Sequence, residues 1–262
     1  MGKRNVGVKA CSAIPHHRIG MLVPSSNTAL EPATAALIDP LADRVGVHFA
    51  RFRVTRIALD SAADAQFTNK PIVDAADLLA DAKTSVIAWN GTSASWRGFD
   101  MDDALCRTIT ERTGCKATSA IVGLNEAIRL MGVKRLGLVT PYTADVEAAI
   151  AANYAKIGIE TVAARRMDLS DNYSFAEVSP EQIAGMCRDV AREGPDAIAI
   201  VCTNLRGPFV APEIEAEFGI PVLDSISVTL WAALRAIDVS TMPLSRYGRL
   251  FAEVEKDVPR SA

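Results

Sequence analysis

A single thiol opens the run Cys202-Thr203-Asn204-Leu205-Arg206-Gly207, directly after the short apolar stretch Ala197-Ile198-Ala199-Ile200-Val201. A second run, Asn90-Gly91-Thr92-Ser93-Ala94-Ser95, follows another apolar stretch in the same way. A cysteine so placed serves as a nucleophile or a proton donor, or is simply a small buried apolar residue. The groups available around it are neutral: Ser26, Asn27, Thr92, Ser93, Tyr142, Asn172, Thr203, Asn204 and loop N–H groups. Neutral donors in that number suit the holding of carboxylates. They also stabilise an enediolate, which forms when charge moves from a carbon onto a carboxylate. Cysteine, with an unperturbed pKa of about 8.5, then carries a proton to or from that carbon.

The elements that must position these groups alternate along the chain. A strand over 18–23 stops at Pro24, and residues 25–28 supply side-chain acceptors before Glu31 and Pro32 open a helix. Helix capping is therefore the competing use of Ser26 and Asn27. Residues 45–54 read as an edge strand, 71–82 as a helix, 84–89 as a strand and 102–112 as a helix ending at Gly114. The second half repeats the pattern, with helices over 119–130, 144–157, 180–192 and 226–237. Its strands fall at 135–139, 159–163, 197–201 and 220–224. Such alternation implies βαβ units and buried parallel sheets, whose ligands bind at the carboxyl ends of the strands. The predicted fold is α/β with two pseudo-symmetric lobes, each a mostly parallel sheet flanked by helices, and an active site in the cleft between them. Residues 1–116, completed by 226–262, form the first lobe and 117–225 the second.

Composition removes several function classes. The 262 residues, 49% of them hydrophobic, suffice for one large core or two modest ones. With 28 basic against 31 acidic residues and a net charge of -3, no basic field is available for nucleic acid or anionic membrane. No apolar run approaches the roughly 20 residues that span a bilayer, and the first residues lack a secretory pattern, so a cytoplasmic protein is expected. The five cysteines (Cys11, Cys106, Cys115, Cys187 and Cys202) form no C-x-x-C pair, and the three histidines all lie within the first 48 residues. Neither a disulfide framework, a metal site nor a Cys–His hydrolase is expected from that distribution. The fingerprints of dinucleotide sites, P-loops and nucleophile elbows are missing too, and no cofactor is expected.

Residues 18–252 resemble the aspartate/glutamate racemase superfamily, in the branch of arylmalonate decarboxylases and maleate cis-trans isomerases. Val23-Pro24-Ser25-Ser26-Asn27-Thr28 with Glu31 resembles the isomerase motif whose asparagine binds a substrate carboxylate. Gly91-Thr92-Ser93-Ala94-Ser95 with Arg97-Gly98 resembles the decarboxylase motif whose threonine and serine form part of a dioxyanion hole. Tyr142 matches a carboxylate-binding tyrosine of both groups, and Asn172 a second substrate-binding asparagine of the isomerases. Cys202 matches the catalytic cysteine of the carboxyl-terminal half, and Tyr247-Gly248-Arg249-Leu250-Phe251 resembles the decarboxylase tail. Racemases and isomerases of this type carry a second cysteine, which falls at Gly91 here; the decarboxylases have glycine there. The resemblance thus implies a cofactor-independent decarboxylase of a malonate-type small dicarboxylate, whose enediolate is protonated by Cys202 alone opposite Gly91. The alternatives are a maleate-type cis-trans isomerase or racemase, or a dicarboxylate-binding protein that lost turnover with the first cysteine. The expected partner is a small dicarboxylate, with association of further copies left open.

Overall fold

The computed structural model describes residues 16–56 and 69–253. The expected N-terminal arm, with Cys11, and the end of the chain beyond 253 lie outside the described residues. Parallel strands β1 (His17–Pro24), β2 (Val45–Phe52), β3 (Val86–Trp89) and β4 (Lys116–Ser119) form one sheet in the order β2-β1-β3-β4. Parallel strands β5 (Arg135–Thr140), β6 (Glu160–Arg166), β7 (Ala197–Ile200) and β8 (Val222–Asp224) form the other, ordered β6-β5-β7-β8. The helices are α1 (Leu30–Ile38), α2 (Asn69–Asp81), α3 (Ala94–Arg97), α4 (Asp100–Thr113) and α5 (Ala120–Leu130), followed by α6 (Ala144–Lys156), α7 (Pro180–Ala191), α8 (Ala211–Phe218), α9 (Ser225–Ala236) and α10 (Leu250–Glu253). The α/β architecture of two sheets expected from the sequence is the one found. Among the described residues no helix is long and apolar enough to cross a membrane.

The sheet positions follow from composition. Strands β3 and β7, Val-Ile-Ala-Trp and Ala-Ile-Ala-Ile, are buried at every residue and sit inside their sheets, whereas β2 is partly exposed and forms an edge. Helix ends carry their own signals. Ser179 Oγ accepts from Gln182 N at 3.2 Å while Gln182 Oε1 accepts from Ser179 N at 3.1 Å, a capping box ahead of Pro180. Ser119 Oγ accepts from Val122 N and caps α5. Helix α4 ends at Gly114 with φ 71°, a left-handed turn that costs glycine nothing.

The two sheets repeat one design. Leu22 of β1 aligns with Trp89 of β3, and Val139 of β5 aligns with Ile200 of β7. One residue later, Asn90 N donates to Leu22 O at 3.1 Å, and Val201 N donates to Val139 O at 2.9 Å. Gly91 and Cys202 therefore occupy equivalent places, as do Pro24 and Pro141. Helix α9 leaves the end of β8 yet packs against β3, β4 and α5, and it is buried from Ser225 to Leu234. An all-round apolar helix of this kind belongs in a core, here the one the two halves share.

Several elements depart from the sequence reading, among them the short helices α3 and α10, which it does not mark. Residues 116–119 form strand β4, paired with β3, where the sequence suggested a helix beginning at 119; the expected division after residue 116 falls inside this strand. Four residues reading Lys-Ala-Thr-Ser carry no strand period of their own, so only the pairing defines them. Helix α8 was not anticipated either, because half of its eight residues, Ala-Pro-Glu-Ile-Glu-Ala-Glu-Phe, are proline or glutamate.

Candidate active site

The carboxyl ends of both sheets meet around a small cleft. Of the residues singled out in the sequence, Gly91, Thr92, Ser93, Tyr142, Asn172, Cys202 and Thr203 line it, joined by Pro24, Val54, Trp89, Asn90 and Trp96. None of these side chains is charged, so an anion placed here meets dipoles and hydroxyls.

Cys202 lies two residues beyond β7 and is 3% exposed. The backbone N–H of Asn204 donates to its sulfur at 3.3 Å. Burial pushes the thiol up to about 11, against the opposing pull of that N–H and of the Tyr142 hydroxyl, so at neutral pH Cys202 holds its proton. Tyr142 enters from the loop after β5, its ring held edge-on by Trp96 at 5.2 Å and Phe175 at 5.6 Å. Its hydroxyl is 2.7 Å from Thr92 Oγ1, and burial raises its pKa well above the usual value, so it too stays neutral. The Thr92-Ser93 segment is fixed by the short helix α3: Ser95 N and Oγ both donate to Thr92 O, while Trp96 N and Arg97 N donate to Ser93 O. Thr203 Oγ1 donates to Asn90 O at 2.9 Å, tying the two strand ends together.

Ser26, Asn27 and Asn204 do not line the cleft. Asn27 Oδ1 accepts from Ala29 N and Leu30 N at the start of α1, and its Nδ2 donates to Thr203 O at 3.0 Å and Oγ1 at 3.3 Å. Asn204 Oδ1 accepts from Thr28 N and Ala29 N, and its Nδ2 donates to Asn172 O at 2.5 Å. Both amides are spent at the seam between the sheets. Ser26 Oγ donates to Val54 O and accepts from Asn172 Nδ2, each at 2.7 Å, which brings the segment after β2 over the cleft. Arg51, ion-paired to Glu31 at 2.7 Å, donates to the carbonyls of Ser25 and Asn27 and holds this loop.

Gly91 has a backbone open to any residue, yet a Cβ there would lie 1.8 Å from Trp89 Cζ2. Close approach, not a turn conformation, requires the glycine. The three other cysteines described, Cys106, Cys115 and Cys187, lie away from the cleft, and burial pushes Cys106 and Cys187 up to about 12. Among the described residues no three of histidine, cysteine, aspartate and glutamate converge as metal ligands. Sequence reasoning missed Val54, Trp89 and Trp96 as cleft walls. The two tryptophans flanking Gly91-Thr92-Ser93 were a visible signal, whereas Val54 reaches the cleft only through the path of the chain after β2.

The sequence model of arylmalonate decarboxylase matches residues 19–251. The chain belongs to the arylmalonate decarboxylase family. It is 28% identical to the arylmalonate decarboxylase of Bordetella bronchiseptica over 238 residues, covering 90% of this chain and 96% of the other. It is also 26% identical to the maleate isomerase of Pseudomonas putida, over 85% of this chain and 92% of that one. Among solved structures it resembles a liganded arylmalonate decarboxylase variant in which a glycine is exchanged for cysteine and a cysteine for serine. That likeness has a TM-score of 0.78 and 26% identity, covering 90% of this chain and 99% of the other. These relatives are enzymes of the decarboxylase and isomerase kind.

Proposed function

We propose that this protein is a cofactor-independent decarboxylase of a malonate-type dicarboxylate. The observation that carries the reading is a lone, buried thiol on an uncharged cleft whose opposite strand end is glycine. In the proposed reaction Thr92, Ser93 and Tyr142 hold the retained carboxylate by hydrogen bonds. The departing carboxylate lies against apolar side chains such as Pro24 and Val54, losing its solvation. The C–C bond then breaks, its electron pair passing into an enediolate stabilised by the same donors, and carbon dioxide leaves. Cys202 gives its proton to the α-carbon and is reprotonated from solvent. Asn172 and Thr203 complete the polar wall; Ser26, Asn27 and Asn204 act by holding that wall in place.

The likeness to maleate isomerase supports a second reading, in which the Cys202 thiolate adds to a double bond, the C–C bond rotates and the thiolate leaves. A thiol held in its acid form favours proton donation over this route. Incubation with maleate and with a panel of α-substituted malonates separates the two: carbon dioxide release supports decarboxylation, and fumarate without carbon dioxide overturns it. A dicarboxylate-binding protein without turnover would show calorimetric affinity and no product in either assay.

A further inference from the structure

Trp89 stands where the internal symmetry of the chain places a second cysteine side chain. Strands β3 and β7 end at Trp89 and Ile200, each two residues before the equivalent positions Gly91 and Cys202. Ile200 leaves the space ahead of its strand to the Cys202 side chain. The larger indole takes that space at the other strand: its Cζ2 and Cε2 lie 1.8 and 2.2 Å from where a Cβ of residue 91 would be. The ring lines the cleft although only 1% exposed, and Phe52 backs it at 5.1 Å with a 46° tilt. A side chain wedged between a ring and a backbone has little freedom to withdraw.

We infer that Trp89 is the specificity-determining wall of the site. Its indole presents a rigid surface without an exchangeable acid or base to the substrate face opposite Cys202, and it limits the bulk of the α-substituent. Gly91 is present because the indole leaves no room for a Cβ. This deepens the decarboxylase reading and rests on it. A rigid apolar wall discriminates by volume, and a single methylene group is worth roughly 10- to 200-fold in such a pocket.

The test is calorimetric affinity for methylmalonate and phenylmalonate with Trp89 kept and with Trp89→Leu, both carrying Cys202→Ala so that turnover does not disturb the titration, while carbon dioxide release is read on the proteins that keep Cys202. The affinity ratio should move toward phenylmalonate by about tenfold or more. An unchanged ratio in a folded variant overturns the inference, and Trp89→Phe, which keeps an aromatic contact to Phe52, supplies the same ratio if the leucine variant does not fold. A second measurement needs no ligand: Gly91→Ala should lower the melting temperature markedly on the parent background and much less on Trp89→Leu. Equal losses on both backgrounds would also overturn it. Failure of the decarboxylase reading shows separately, as binding of these acids without carbon dioxide release, and the affinity ratio then still decides the role of Trp89.

Discussion

Cys202 is a thiol whose protonation state is set by its surroundings. Burial disfavours the thiolate more than the Asn204 N–H and Tyr142 hydroxyl favour it, which leaves an acid at neutral pH. In the proposed decarboxylation Cys202 is the proton donor, so Cys202→Ala should reduce carbon dioxide release by about 10²-fold or more, with the circular dichroism spectrum unchanged. The sign of the pH dependence follows as well. A donor must be protonated, so kcat/KM should stay flat through about pH 7 to 9 and fall only as pH approaches the raised value. A decline centred near about 8.5, the unperturbed cysteine value, would show that burial does not control this thiol. Tyr142→Phe removes a hydroxyl that meets both Thr92 and the sulfur, and removal of one such donor typically costs roughly 10²- to 10³-fold in kcat. A loss confined to KM would assign Tyr142 to ground-state binding alone.

Helix α1 is capped from both halves of the molecule. Its leading N–H groups at Thr28 and Ala29 donate to Asn204 Oδ1, and those of Ala29 and Leu30 to Asn27 Oδ1. Asn27 thus caps part of this N-terminus from its own side and Asn204 completes the cap from across the seam, with Asn204 Nδ2 closing the arrangement on Asn172 O. Asn204→Ala should leave the Thr28 N–H and the Asn172 carbonyl short of partners at the seam, while Ala29 N keeps Asn27 Oδ1. At about 1 kcal/mol or more per buried unpaired group, urea unfolding should report a loss of about 2 kcal/mol. A loss under about 1 kcal/mol would mean that water replaces these contacts and that the seam is open to solvent.

Burial raises the carboxyl pKa values of Asp102 and Asp224. Asp102 on α4 is pushed from 3.8 to about 7, first by burial and then by Asp103, against the opposing pull of Ser119 and Arg97. Asp224, which caps α9 through Ile226 N and Ser227 N, is pushed to about 6 by burial despite those hydrogen bonds. Their folded-state values lie above the unfolded ones, so between about pH 4 and 7 the folded protein holds protons that the unfolded chain has released. Stability attributable to these groups is therefore present below that window and lost as pH rises through it. Asp102→Asn removes one share of the penalty, and its melting temperature relative to the parent should rise from pH 5 to pH 8. A difference that does not change with pH would place the Asp102 value near that of an exposed carboxyl.

Much of this protein is written in local sequence. Apolar runs ending in Cys202-Thr203-Asn204 and Gly91-Thr92-Ser93 define central strands and the polar loops after them, because a strand buried on both faces must be apolar and must end where backbone groups need new partners. The α/β class with its two parallel sheets followed from that alternation. What local sequence could not decide was set by distance. Strand β4 exists only through its pairing with β3. Asn27 reads equally as a ligand for a carboxylate or as a helix cap; in the structure it caps α1 while its amide meets Thr203, 176 residues away, a partner local sequence does not reveal. Gly91 reads as the place of a missing second cysteine until the Trp89 ring is seen against it. Side-chain types and periods are properties of a short stretch of chain, whereas the filling of space between two strand ends depends on groups that meet only once both sheets have formed.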